Sequence, residues 1–295
     1  MTPTPLDTLN KADRQSFLAA LGEVMELAPW VAEDAYSARP FASVSELFQS
    51  MTDAVREAPE ERQRALINGH PDLAGKATRE GKLTSDSTAE QSSAGLDRLS
   101  EEEFATFHRL NDAYREKFAM PFIVCVRRHG KESILRGFER RLKNDAAAER
   151  ATALNEIFRI AALRLDQRVT GPDRLKVHGH LSTHVLDTHS GHPAENVAME
   201  LCEVAASGAA RVIKRAVTNA DGRTDQPLLA SMPIPIGTYE LRFAVGDYFA
   251  DRSVPMSDPP FLGVVPIRFS IAEPEGRYHV PLSVTPWAYS TYRGS

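Results

Sequence analysis

The residues most able to do chemistry in this sequence are histidines with an arginine or a carboxylate within reach. His184 sits in the strand-like run Leu181–Asp187, and His279 lies in Tyr278-His279-Val280-Pro281. Arg223 directly follows the tight-turn pair Asp221-Gly222. A neutral imidazole accepts a proton from water near neutral pH. A guanidinium grips a flat, oxygen-rich molecule through its forked donors and stabilises developing oxyanion charge. Two histidines and an arginine therefore suit hydrolysis of a polarised ring amide. The plainer alternative is a hydrogen-bonded strand histidine and a solvated turn arginine. His178, His180, His189 and His192 add a zinc alternative, but no carboxylate completes a clear ligand set. Cys125 and Cys202 stand in different halves and form no CxxC pair. The sequence closes on Tyr292-Arg293-Gly294-Ser295.

A second constellation lies upstream. The run Gly69-His70-Pro71-Asp72-Leu73-Ala74-Gly75-Lys76 is followed by Ser87, Glu90 and Gln91, with Arg164 much further on. Pro71 disfavours helix at His70, which places that imidazole just outside or at a helix start. Ser87 and Glu90 have capping-box spacing, so they can simply satisfy the first amides of a helix. Arg164 falls at the edge of an apolar stripe, where it can equally be a surface arginine.

The elements that must hold these residues follow two periods. Up to about residue 170 apolar side chains recur at steps of three and four. Ser100 with Glu103 reads as a capping box, and Phe104, Phe107, Asn111, Tyr114 and Phe118 follow on one helix face. Asp145 caps a helix whose stripe is Leu154, Ile157, Phe158, Ala161 and Leu165. Ser43–Glu57 reads likewise through Val44, Leu47, Phe48, Met51 and Val55, and Pro59 ends that helix or opens the next. Pro121–Val126 fits either an extended stretch or a buried helix start. Gly171-Pro172-Asp173 is a breaker cluster. Beyond it the period is two: Tyr239, Leu241, Phe243 and Val245 alternate with Glu240, Arg242 and Ala244. Val265, Ile267, Phe269 and Ile271 alternate as well, as do Tyr278, Val280, Leu282 and Val284. If the Tyr278 face is core, His279 must point outward or into a cleft. The expected fold is multidomain α and β: an all-α domain over residues 1–170, a linker over 171–177, and an antiparallel β-sandwich over 178–295.

Composition narrows the function classes. A net charge of −5 and the lack of a Lys/Arg run argue against a nucleic-acid binder. Apolar runs are too short for a membrane helix, and the N-terminus carries no signal-peptide pattern. Two cysteines far apart imply no disulfide framework and a reducing compartment.

Two resemblances sharpen this. Leu181–Ala194, Asn219–Leu228 and Tyr278–Ser295 resemble 5-hydroxyisourate hydrolase, the enzyme relative of transthyretin, and Tyr292-Arg293-Gly294-Ser295 is similar to that family's terminal signature. The resemblance implies a transthyretin-like sandwich, a homotetramer with sites at the dimer–dimer interface, and catalytic roles for His184, Arg223 and His279. It also implies substrate contacts from Tyr292, Arg293, Gly294 and Ser295. A free C-terminus close to the site is expected from it, so that an extension is harmful. His70–Gly75, Ser87–Leu96, Asn111–Arg127 and Gly137–Leu142 resemble 2-oxo-4-hydroxy-4-carboxy-5-ureidoimidazoline (OHCU) decarboxylase. This second resemblance implies an all-α domain, usually dimeric, that acts without a cofactor, with His70 catalytic. Substrate binding falls on Pro71, Ser87, Glu90, Gln91 and Arg164, and on the main chain around Phe122, Ile123 and Val124. The product of the first family is the substrate of the second, so the chain is expected to convert 5-hydroxyisourate through OHCU to (S)-allantoin. Its decarboxylase-first order is that of bifunctional allantoin synthases. No metal or cofactor, no nucleic acid and no membrane partner is expected. Arg174-Leu175 and His180-Leu181 resemble an internal peroxisomal address but are spaced one residue too closely, which favours the cytoplasm. The rival readings are a transthyretin-like small-ligand carrier on a helical adaptor, or a fusion with one active domain.

Overall fold

The computed structural model describes residues 2–74, 84–230 and 232–294. The chain divides into two compact units, Met1–Arg127 with Ser133–Val177, and Arg128–Glu132 with His178–Ser295.

The first unit is helical apart from one short parallel pair, β1 (Thr4–Pro5) with β2 (Val169–Thr170). Helices run over Leu6–Lys11, Arg14–Leu21, Pro29–Ser37, Val44–Glu57, Glu60–Asn68, Ser85–Ser93, Glu101–Phe118, Lys131–Arg141 and Ala146–Arg168. The local signals worked as expected at several starts. Ser100 accepts from the Glu103 amide while the Glu103 carboxylate accepts from the Ser100 amide. Ser43 and Asp145 cap the helices that follow them. Phe107, Asn111, Tyr114 and Phe118 are buried on one face, with Phe104 only half-buried. Leu154, Ile157, Phe158, Ala161 and Leu165 are all core. Pro59 opens the Glu60–Asn68 helix as its N-cap residue.

Two local expectations need correction. Ser87 and Glu90 are not a capping pair: Thr84 caps the Ser85–Ser93 helix by accepting from the Ser87 amide. The helix thus begins a turn earlier, which turns Ser87 and Glu90 into interior, buried positions. His70 lies just beyond a helix end rather than at a start; Gly69 closes the Glu60–Asn68 helix and Pro71 prevents its continuation. The ambiguous stretch from Pro121 to Cys125 is neither helix nor strand.

The second unit is a β fold. One four-stranded sheet has the order β7-β6-β8-β9, from Ala210–Val217, Ala198–Val204, Gly237–Ala244 and Val264–Ile271, all antiparallel. The other has β12-β11-β4-β5, from Tyr289–Thr291, Leu282–Val284, Val185–Asp187 and His192–Pro193. Here β11 runs parallel to β4, and a further parallel pair joins β10 (Arg277–His279) to β3 (His180–Ser182). The core takes Leu181, Val185, Leu201, Leu241, Phe243, Val265, Ile267, Tyr278 and Leu282. The alternation fails at two places. Glu240 is buried, its carboxylate shielded by Arg242 and Arg268, and a short helix, Val245–Asp251, interrupts the strands. Among the described residues, no helix is long and apolar enough to cross a membrane.

Candidate active sites

In the helical unit the expected residues meet around one small cavity. His70, Pro71, Ser87, Glu90, Gln91, Phe122, Ile123, Val124 and Arg164 all line it. Its volume is about 30 Å³, room for one or two waters, and it opens to solvent. A roomier cavity of about 230 Å³, lined by Arg64 and Arg150 among others, contains none of the expected residues. Both of those arginines are committed to Glu60.

His70 is 6% exposed. Its Nδ1 lies 3.0 Å from the Leu66 carbonyl oxygen. A carbonyl can only accept, so Nδ1 carries the hydrogen and the neutral ring keeps its lone pair on Nε2. That Nε2 is buried and has no hydrogen-bond partner. Burial holds the imidazole below its ordinary pKa, assisted by the Arg164 charge and opposed by the Leu66 carbonyl and the Glu26 carboxylate. The free site therefore presents an unprotonated, unpartnered nitrogen at neutral pH.

Arg164 does not wait at the surface. It is buried and donates through Nε and Nη2 to both oxygens of Glu90, at 2.9 Å each. Its Nη1 reaches Glu26 at 2.7 Å. Glu26, which the motif reading missed, also accepts from the hydroxyls of Thr84 at 2.7 Å and Ser87 at 3.0 Å. Burial pushes the Glu26 carboxyl up, but Thr84 and the Arg164 charge outweigh it and leave the pKa below its usual value. Asp86 stands 3.9 Å from Arg164 and 2.5 Å from Arg168. The guanidinium thus positions two carboxylates and a serine more than it offers itself to a ligand. Gln91 likewise works on the protein: its side-chain oxygen accepts the Ala74 amide at 3.0 Å. Together with Asn111, which donates to the Leu73 carbonyl at 2.8 Å, it fixes the loop after His70. Gly75 and Lys76 of that motif lie outside the described residues.

In the β unit, strand register gathers the second set. The β10–β3 pairing sets His279 opposite Ser182. Tyr278 and Val280 are core, so His279 faces away from it, half-buried, as its alternation requires. On the other strand His180 shares the face of Ser182, and both His180 and His184, two residues past the strand's end, are close enough to act on His279 electrostatically. Ser182 Oγ sits 3.0 Å from His279 Nδ1. The main chains of His184 and Arg223 pair as an isolated antiparallel bridge, and Gly222 makes this approach possible. Gly222 has φ +70°, and a Cβ there would lie 2.3 Å from the Val185 carbonyl oxygen. Burial lowers the pKa of both histidines, and the Arg223 charge adds to it in each case. His184 Nε2 has no hydrogen-bond partner. The terminal motif closes on this cluster: the Gly294 amide donates to the His279 carbonyl at 2.8 Å. A Cβ on Gly294 would come within 2.8 Å of the imidazole. Arg293 stacks over Tyr278 at 4.9 Å, and Tyr292 is exposed. Ser295 lies outside the described residues. No three His, Cys, Asp or Glu side chains gather as a metal site among the described residues.

Comparison with known proteins matches this division. The OHCU decarboxylase family model matches residues 10–166, and the HIUase/transthyretin family model residues 181–294. An OHCU decarboxylase of Haloferax volcanii is 45% identical over 163 residues, covering 55% of this chain and 95% of that protein. A 5-hydroxyisourate hydrolase of Deinococcus radiodurans is 54% identical over 119 residues, covering 40% and 98%. The crystal structure of an (S)-allantoin synthase aligns over 99% of this chain and 100% of its own, with 31% identity and a TM-score of 0.52.

Proposed function

Because the chain belongs to the OHCU decarboxylase family in its helical unit and to the HIUase/transthyretin family in its β unit, we propose that it runs two consecutive steps of urate degradation. The β unit hydrolyses 5-hydroxyisourate to OHCU, and the helical unit decarboxylates OHCU to (S)-allantoin. The chain is a bifunctional enzyme rather than a carrier: it is 45% identical to an OHCU decarboxylase over its helical unit and 54% identical to a 5-hydroxyisourate hydrolase over its β unit.

In the β unit the two imidazoles stay neutral at pH 7 beside Arg223, which suits them to accept a proton from an attacking water. Arg223 then faces the oxygen that gains charge as the ring carbonyl is attacked. In the helical unit the bond from the ring carbon to the carboxylate breaks and carbon dioxide leaves. The electron pair passes into the ring, and one proton is taken up at carbon. His70 Nε2, unprotonated in the free site, takes up that proton from solvent when the anionic substrate binds and passes it to the carbon, since Nδ1 is held by Leu66. Glu90, set by Arg164, orients the ring and ureido groups. Delivery to one face yields one enantiomer.

The observation carrying this reading is the buried, unpartnered His70 Nε2 beside the Glu26–Arg164–Glu90 cluster. The test is circular dichroism during turnover of urate with urate oxidase. Full-length protein gives optically active product. His279→Ala blocks the first ultraviolet phase alone, and His70→Ala the second alone. Racemic product at the uncatalysed rate from the unmodified protein refutes the reading.

Assembly through the β unit into a tetramer, with further contacts from the helical unit, is part of the same proposal. It is supported by three large side chains, Trp287, Tyr289 and Tyr292, that this unit leaves exposed. Sedimentation showing a monomer at working concentration excludes it.

A further inference from the structure

The Ala146–Arg168 helix is largely buried yet carries Glu149, Glu156 and Arg164 among its buried residues, seven and eight positions apart. At 3.6 residues per turn those steps are two turns each, so the three share a face. Charges in such a helix are tolerated only when paired and hydrogen-bonded. Each of the three is spent on the decarboxylase pocket. Arg164 holds Glu90, Glu26 and Ser87. Glu156 accepts the Cys125 amide at 2.9 Å. Glu149, fully buried, accepts from Arg141 Nε at 2.6 Å, from Asn144 at 2.8 Å and from the Tyr114 hydroxyl. Arg141 in turn donates to the Ile123 carbonyl at 2.6 Å and lies over the Phe122 ring at 4.4 Å.

These contacts anchor the irregular stretch from Pro121 to Cys125 at a carbonyl and at an amide, and between Phe122 and Val124 it lines the cavity. The main-chain amides of Phe122, Ile123 and Val124 have no acceptor among the described residues. Buried amides are nearly always satisfied, and the acceptor left to a cavity-lining stretch is water in the free site or a ligand that replaces it. Sequence in this stretch does not specify its backbone, since no helix or sheet ladder holds it. Its shape comes from Arg141 and Glu156.

We propose that Glu156 and the Glu149–Arg141 pair are positioning residues of the decarboxylase. They hold the Phe122–Val124 amides against the oxygen and nitrogen atoms of the imidazoline ring that gain charge as carbon dioxide departs. This rests on the assignment of the pocket made above. A neutral amide aimed at developing charge lowers the barrier more than it tightens substrate binding.

The experiment uses the full-length protein and OHCU formed in situ, comparing Glu156→Leu, Glu156→Gln and Arg141→Lys. Gln keeps an oxygen acceptor for Cys125; Leu does not. Glu156→Leu is expected to lower kcat about 10- to 100-fold with little change in KM, since misplacement by about 1 Å costs that order. It also lowers the enantiomeric excess of allantoin formed in single turnovers with enzyme in excess. Glu156→Gln restores both. Arg141→Lys keeps the charge but not the forked reach to Ile123, and is expected to lose about tenfold in kcat. A merely stabilising role moves the melting temperature but not product handedness. Unchanged kcat and handedness in Glu156→Leu overturn the proposal. If that variant does not fold, unchanged kcat in Arg141→Lys overturns it. Full decarboxylase activity in His70→Ala would instead show the pocket itself to be wrongly assigned.

Discussion

Gly294→Ala is a small change with a large expected consequence. The Gly294 amide is tied to the His279 carbonyl at 2.8 Å, so the backbone cannot withdraw without breaking that bond. An added methyl would meet the imidazole at 2.8 Å from Cδ2 and 3.2 Å from Cγ. Ordinary carbon contacts lie near 3.5–4.0 Å, so the ring must swing by about 1 Å. That motion breaks the 3.0 Å contact between Ser182 and His279, a hydrogen bond worth about 1 kcal/mol. It also displaces one of the two candidate bases. A displacement of about 1 Å in a reacting group costs on the order of 100-fold, about 2.7 kcal/mol of barrier. The assay is the ultraviolet decay of freshly made 5-hydroxyisourate, with OHCU decarboxylation by the same preparation as internal control. Gly263→Ala, whose methyl meets nothing within 4 Å, is the matched substitution and is expected to be silent. Hydrolysis by Gly294→Ala within twofold of the unmodified protein refutes the reasoning. So does an equal loss of both activities.

Three further outcomes follow from the electrostatics. Burial and the Arg223 charge hold His184 and His279 below the ordinary imidazole pKa of about 6.5, so kcat/KM for hydrolysis should stay level at neutral pH and fall only on the acid side of that ordinary value; a fall beginning above pH 7 contradicts this. His70 is likewise depressed in the folded state, so the unfolded chain binds the extra proton. Its contribution is fully present above its unfolded pKa near 6.5 and lost as pH falls further; urea midpoints between pH 7 and 5 should decline less in His70→Phe than in the unmodified protein. Arg164→Met leaves Glu26 and Glu90 buried without their cation and should cost the helical unit about 3–5 kcal/mol in urea unfolding; a loss under about 1 kcal/mol, the range of an exposed pair, would show that the cluster is not the buried ion network described.

How much of this is legible in the sequence depends on how local each cause is. Helix starts at Ser43, Ser100 and Asp145 are readable because a cap and its amide lie three residues apart. The outward set of His279 follows from strand alternation around Tyr278. Ser87 and Glu90 mislead for the same local reason, because their spacing fits a cap that Thr84 in fact supplies. Glu149 and Glu156 do leave a mark, since they are charges on a helix whose other residues are largely apolar, but nothing nearby names the groups they hold. Glu26 leaves none, since its partners Thr84, Ser87 and Arg164 lie 58 to 138 residues away.

The sequence by itself determined the two periods, the change between them and the residue types that can move protons. Each of those is written in neighbours within a turn or a strand. Only the tertiary structure decided which nitrogen of His70 is free, that Arg164 faces two carboxylates instead of solvent, and what shape the stretch from Pro121 to Cys125 takes. Those outcomes depend on burial and on partners distant along the chain, where the cost of an unpaired polar group selects one arrangement.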